Sequence, residues 1–250
     1  MKKPVIAVVG LGLIGGSLAR ALARRGHFVI GVDSAASPAR AARRAGAVKS
    51  VLRLESACAR AEVLFLAAPP RANIALVRRL AKIAPRLVVS DVSSVKQPIV
   101  RAARLARLDR FVGGHPMAGR ERGGFAGSDA DLFRGRPWLL TATPDRRALK
   151  TITALLRSIG ARPVVIPAAE HDRAVAFLSH LPQLVAWGLA RCAEQDPVAR
   201  RRLSLAGPAF AEMTRLARSP RALWTEILEL NRAEVRAAIV ALRAYLSSSL

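Results

Sequence analysis

The chain has 250 residues, 52% apolar and 4% aromatic, with 41 basic against 17 acidic side chains and a net charge of +24. That length and apolar content fit one large or two modest folded domains and exclude a disordered chain. No apolar run nears the ~20 residues that span a bilayer, and two distant cysteines, Cys58 and Cys192, point to neither a disulfide framework nor a zinc site.

The charge invites a nucleic-acid reading, which two features weaken. The basic residues, only six of them lysine, are spread along the whole chain rather than gathered in a tail or stripe. Aromatic side chains for stacking on bases are few. Arginine on solvated helix faces accounts for the excess, with attraction of small anions as a by-product. Neither a nucleic acid nor a membrane is expected as a partner.

The opening MKKPVIAVVGLGLIGGSLARA imitates a signal peptide, with two lysines, an apolar stretch and then small residues. Its glycines have a fixed spacing with a better use, so a cytoplasmic location is expected. VIAVVG is a short β-branched run. In the stretch after it, Ile14, Leu18, Ala21 and Leu22 recur at helical spacing, and Gly26 closes the helix. HFVIGVD is a second strand ending in Asp33. Strand, glycine-rich turn, helix, strand and acid make up the dinucleotide-binding fingerprint.

Each glycine has a mechanical task. Gly10 permits the tight turn, Gly12 lets a pyrophosphate approach the backbone, and Gly15 lets the helix pack on the strand. The free N–H groups at the helix start then face the phosphates. Asp33 falls 18 residues after Gly15, where a carboxylate holds the adenosine ribose hydroxyls. It repels a 2′-phosphate, and DSAASPAR puts no arginine directly after it, so NAD is expected rather than NADP. Leu13 and Ile14 in the turn, with Ala68 and Pro69 further on, complete the expected cofactor contacts.

Beyond this unit EVLFLAAPP (62–70) reads as a buried strand, ANIALVRRLAKIA as a helix and RLVVSDVSS as a strand. KQPIVRAARLARL is helical and FVGGHP begins as a short strand. RPWLLTA and ARPVVIP add two strands around the helix RRALKTITALLRSIG. Such alternation predicts an α/β fold: a Rossmann-type, doubly wound, mostly parallel sheet over residues 1–167.

After Pro167 every segment reads as helix, so residues 168–250 form an all-helical C-terminal domain. Phe177, Leu181, Leu184, Val185, Gly188 and Cys192 mark one face of a long helix. Pro182 within it should bend the helix and free the carbonyl of Leu178. Asp196-Pro197 and Ser219-Pro220 read as caps with a first-turn proline. Val235, Ile239, Leu242 and Leu246 form a last apolar stripe. This much apolar helix face predicts a two-fold homodimer through the helical half.

Ligands of an open parallel sheet sit at the carboxyl ends of its strands. Three polar clusters fall there: DVSSVK (residues 91–96), His115 in GGHPMAG, and Glu121. Ser94 and His115 thus come to one edge, beside the expected nicotinamide. Taken alone, His115 also fits a satisfied loop imidazole. Ser93 or Ser94 also fits the cap of a helix starting near Val95.

VGLGLIGGSLA, DVSSVK, HPMAGRERGG with LFRGRPWLLT, EHD with AFLSHLPQ, and MTRLARSPRALW follow one another from residue 8 to residue 224. In that order they resemble the successive motifs of the prephenate and arogenate dehydrogenases of tyrosine biosynthesis. The pairing of SSVK with HPMAG is far more specific than the glycine fingerprint. The resemblance implies NAD-dependent oxidative decarboxylation of prephenate to 4-hydroxyphenylpyruvate. A hydride leaves C4 for NAD, the C4 hydroxyl becomes a carbonyl, and carbon dioxide departs as the ring aromatises.

It further implies that a neutral His115 receives the hydrogen bond of that hydroxyl, with Ser94 bonding both hydroxyl and imidazole. Gly113, Gly114 and Pro116 fix the direction of His115. Arg215 of EMTRLA grips a substrate carboxylate with a two-pronged bond that lysine cannot copy. Lys96, Glu121, Trp224 and His180 match other positions around the site, and Asp172 a supporting polar network. Gln183 departs from the pattern, standing where many prephenate-using members carry a second histidine. Its amide both donates and accepts, so it suits a keto acid or the ammonium-bearing side chain of arogenate. Arogenate dehydrogenase is therefore the nearest alternative.

Reductases of β-hydroxyacids and of pyrroline-carboxylate share the opening turn but lack the SSVK–HPMAG pair and rely on a helical-domain lysine. No lysine here lies beyond position 150. A basic NAD-binding or nucleic-acid-binding module without this activity is the remote alternative. Neither a C-terminal regulatory domain nor a fused chorismate mutase is expected.

Overall fold

A computed structural model describes residues 3–120 and 122–249. The run VIAVV becomes β1 (Val5–Val9), and the stretch behind the glycine turn becomes α1 (Leu13–Arg24). Gly26, at a φ of 76°, takes the left-handed turn that ends the helix. There follow β2 (Phe28–Val32), α2 (Ala36–Arg44), β3 (Ser50–Val51), α3 (Leu54–Cys58) and β4 (Val63–Leu66). α4 (Pro70–Ile83), β5 (Val88–Asp91), α5 (Gln97–Leu105) and β6 (Phe111–Val112) complete the first layer.

These six strands pair in parallel, in the order β3-β2-β1-β4-β5-β6. Helices cover both faces, which is why a strand such as VLFL in β4 is apolar at every position. The two faces separate by alternation. Ile6 and Val8 join a core with Leu18 and Phe65, while Ala7 and Val9 join another with Leu64, Leu66 and Val77.

The sequence pattern does not reveal that the chain changes sheet at Gly113. β7 (Gly114–Pro116), β8 (Pro137–Leu140) and β9 (Arg162–Val165), with α6 (Arg146–Ser158) between the last two, form a separate sheet. In it β7 runs antiparallel to β8, and β8 parallel to β9. Trp138 of β8 is fully buried and its ring lies 4.9 Å from that of Phe133.

The chain divides into two units, the first ending at His171 and the second beginning at Asp172. The helices after β9 are α7 (Ala168–Val175), α8 (Leu181–Gln195), α9 (Pro197–Arg201), α10 (Pro208–Thr214), α11 (Arg221–Leu230) and α12 (Arg232–Ser248). Between α7 and α8, residues Ala176–His180 wind as a π-helix. Pro182 was expected to bend a continuous helix. The turn before it widens, because proline offers no N–H to the Leu178 carbonyl one turn back.

Asp196 caps α9 as expected, accepting from the amides of Val198 and Ala199 at 3.0 and 2.7 Å. Ser219 does not cap α11. The helix starts at Arg221, Pro220 takes the capping position, and no side chain caps it. The helical unit buries a small core of Ala176, Val235 and Ala238, packed by Leu181, Leu184 and Leu228. It leaves Phe177, Leu178, Leu189, Ile239, Val240 and Leu246 exposed.

Among the described residues no helix is long and apolar enough to cross a membrane. Several surface arginines meet acids rather than clustering: Arg24 pairs with Asp131, Arg79 with Glu55, Arg110 with Asp145 and Arg120 with Asp129.

Candidate active site

The register of the parallel sheet aligns the carboxyl ends of its central strands. Val9 stands opposite both Val32 and Leu66, and Leu66 opposite Asp91. Gly10, Asp33, Ala67 and Val92 therefore leave the sheet side by side. Gly10 has a φ of 90°, and a Cβ on it would lie 2.6 Å from the Ala67 carbonyl oxygen. A Cβ on Gly15 would sit 1.9 Å from the Gly10 oxygen, so the start of α1 closes onto the turn only without a side chain.

Gly12 is different: a Cβ there would meet nothing within 4 Å. The space over its backbone is open, directly before the N-terminus of α1, where a pyrophosphate is favoured. Asp33 is tied into the same turn. Its Oδ2 accepts from the Leu11 amide at 2.7 Å and its Oδ1 from the Ala35 amide at 2.8 Å. Each oxygen keeps a second lone pair for a ribose hydroxyl. Leu13 and Ile14, half-buried, open α1. The residues present fit a dinucleotide.

Ala68 and Pro69 join β4 to α4, and one buried amide holds them. Asn73 Nδ2 donates to the Ala68 carbonyl at 2.8 Å and to Ser93 Oγ at 3.0 Å, while its Oδ1 accepts from the Ala68 amide at 3.2 Å. Ser93 is thus engaged by α4 and does not cap a helix at Val95. That helix, α5, begins at Gln97 with Lys96 in the capping position, no side-chain cap and a proline in its first turn. Ser94 stands half-buried between β5 and α5.

Around Asp91 lies a fully buried ion pair. Lys96 Nζ donates to Asp91 Oδ2 at 2.5 Å and to the Gly114 carbonyl at 2.6 Å. The Gly114 amide donates to Asp91 Oδ1 at 2.9 Å, and the Ser93 amide to Oδ2 at 2.9 Å. The two sheets are welded here, immediately before His115.

The glycines ahead of His115 serve close approach rather than an unusual backbone, since neither has a positive φ. A Cβ on Gly114 would lie 2.5 Å from the Asp91 carbonyl oxygen, and one on Gly113 would lie 2.6 Å from Thr141 Oγ1. His115 itself is 6% exposed and sits in β7 opposite Leu139. Its Nδ1 lies 2.9 Å from Nε2 of His171, which is fully buried, with the rings edge to face at 63°.

Within the helical unit Gln183 is buried, and its Nε2 donates to the Leu216 carbonyl at 2.7 Å. Trp187 Nε1 donates to the Ala217 carbonyl at 3.2 Å, and the Arg221 guanidinium lies over the Trp187 ring. Together they hold the short 3₁₀ turn Arg215–Arg218, on which Arg215 is exposed. His180 is buried beside Trp224, with ring centroids 6.1 Å apart.

Asn231 Nδ2 donates to the Asp172 carbonyl at 2.8 Å, which fixes the amide's orientation, and meets His180 Nδ1 at 3.1 Å. His180 Nδ1 is therefore an acceptor, and the ring proton belongs on Nε2. Glu121 lies outside the described residues. The sequence reading missed Asn73, His171 and Asn231. Only His171 carried a signal, in the EHD motif.

Comparison with known proteins fits this arrangement. Residues 18–165 match the family model for the prephenate dehydrogenase nucleotide-binding domain. Residues 167–247 match the model for the prephenate dehydrogenase dimerization domain. The chain belongs to the prephenate dehydrogenase family. A prephenate dehydrogenase of Bacillus subtilis is 32% identical over 246 residues, covering 93% of this chain. The chain spans 66% of that relative, just under two thirds of its length.

Two solved structures resemble it throughout. Prephenate dehydrogenase from A. aeolicus, in complex with hydroxyphenyl propionate and NAD+, is 27% identical with a TM-score of 0.91, covering 99% of this chain and 90% of that one. Synechocystis arogenate dehydrogenase is 31% identical with a TM-score of 0.83, covering 97% and 89%.

Proposed function

We propose that the chain is an NAD-dependent prephenate dehydrogenase, working as a homodimer in the cytoplasm. One register carries this reading. With Val9, Leu66 and Asp91 abreast and Gly114 bonded to Asp91, the glycine turn, Ala68, Ser94 and His115 share one edge of the fold. Bound NAD supplies the acceptor for the electron pair that leaves C4 of the substrate ring. Gly10, Gly12 and Gly15 shape the turn for its pyrophosphate, Leu13 and Ile14 present the first helical amides, and Asp33 holds the ribose. Ala68 and Pro69 border the cofactor.

His115 accepts the proton of the C4 hydroxyl at Nε2, and Ser94 bonds the same oxygen. Aromatisation with loss of carbon dioxide drives the reaction, so alignment and proton acceptance are the protein's main tasks. Lys96 holds the strand of His115 from behind, through the Gly114 carbonyl. Arg215 is the group suited to fork onto a substrate carboxylate. Glu121, Gln183, His180 and Trp224 are further substrate-binding positions. The exposed apolar side chains of the helical unit, in a segment matching a dimerization domain, support the homodimer.

A second reading, arogenate dehydrogenase, is favoured by Gln183. Its Nε2 is committed to the Leu216 carbonyl, and among the described residues its buried Oε1 has no hydrogen-bond partner. A carbonyl oxygen suits an ammonium group better than a keto oxygen, which is itself an acceptor. Side-by-side assays of NADH formation with prephenate and with arogenate test both. Turnover of prephenate supports the first reading, turnover of arogenate alone the second, and turnover of neither overturns both.

A further inference from the structure

We infer that His171 is a positioning residue, one that fixes His115 as the tautomer whose Nε2 can accept a proton. The inference rests on the reading of His115 as proton acceptor. It begins from the contact of two buried imidazoles, His115 Nδ1 and His171 Nε2, 2.9 Å apart. At that separation one nitrogen carries a hydrogen and the other offers a lone pair.

Only one of the two arrangements leaves His115 useful. If His171 Nε2 donated, His115 would be protonated at Nε2 and could not take up the substrate's proton. With Nδ1–H of His115 donating to His171 Nε2, the lone pair of His115 Nε2 is left for the hydroxyl. When that proton arrives, the imidazolium keeps the same bond, now charge-assisted and stronger. The hydroxyl proton passes to His115 Nε2, the O–H bonding pair becomes part of the new carbonyl, and His171 gains nothing and loses nothing.

The surroundings support a fixed role. His171 is fully buried, and its amide donates to the Pro167 carbonyl at 2.9 Å in the first turn of α7. The other side of His115 is set by β7, whose Gly114 is held by both Asp91 and Lys96. The nitrogen that meets His115 Nδ1 at 2.9 Å orients the ring and selects its tautomer. Sequence could not reveal this, because the two histidines lie 56 residues apart.

The chain has only four histidines, so imidazole ¹⁵N signals are assignable by single substitutions. Long-range ¹H–¹⁵N correlation spectra of the full chain should show His115 protonated at Nδ1 in the wild type. His171→Phe should release it to an Nε2–H or mixed state and lower kcat at least tenfold, with the dissociation constant for NAD unchanged. His171→Gln, whose side-chain oxygen reaches where Nε2 stood, should restore the Nδ1–H signal and most of kcat.

An Nε2–H form of His115 in the wild type overturns the proposal, with or without a folded variant. So does a His171→Phe protein that keeps both the Nδ1–H signal and full turnover. A wild-type protein that turns over neither prephenate nor arogenate sinks the functional reading instead, and the spectra still decide the tautomer.

Discussion

The amide of Leu11 donates to Asp33 Oδ2 at 2.7 Å, so the glycine turn after β1 and the acid after β2 are one structure. Asp33 therefore shapes the turn, in addition to the ribose contact proposed for it. Asp33→Ala removes a charge-assisted bond of about 1.5–3 kcal/mol and frees the Leu11 amide. KM for NAD should rise by about 10- to 100-fold, with a smaller change for NADP. Steady-state kinetics with both cofactors check this. An unchanged KM for NAD removes Asp33 from the cofactor's contacts.

Lys96 and Asp91 form an ion pair with no exposed surface on either side chain. Removing one partner leaves the other charged and buried, at a cost of about 3–5 kcal/mol. Lys96→Met should lower Tm sharply and reduce activity as β7 loosens. Adding Asp91→Asn should recover part of the loss, because a neutral amide oxygen still accepts from Gly114. Thermal melts of the three proteins decide it, and equal stability of Lys96→Met and wild type contradicts the assignment.

The N-terminal half was the more legible because its signals are local. Gly10, Gly12, Gly15 and Asp33 lie within 24 residues, and at Gly10 and Gly15 the backbone leaves no room for a side chain. The change of sheet at Gly113 was not legible, since a strand reads alike in either sheet. Ser93 resembled a cap because nothing nearby announced that Asn73, 20 residues away, takes its hydroxyl. The widening of the turn before Pro182 was not legible for a similar reason. A missing N–H states what is lost, not how the helix absorbs it. Asn231 and His171 act through partners 51 to 59 residues off, a pairing that spacing cannot encode.

Ile239 and Leu246 of α12 are 42% and 52% exposed. Apolar side chains this open on a helical unit whose buried cluster centres on Ala176, Val235 and Ala238 call for a covering surface. Ile239→Glu with Leu246→Glu should convert a dimer into a monomer of 26.7 kDa and lower its Tm. Light scattering checks the mass. A wild-type protein that is already monomeric and fully active contradicts the homodimer.

The role of His115 is tested most directly by comparing wild type with His115→Asn for NADH formation from prephenate and for NAD binding. The expected result is a kcat lower by about 10²- to 10⁴-fold with a nearly unaltered dissociation constant for NAD. Turnover by His115→Asn equal to that of the wild type would contradict proton acceptance by this imidazole.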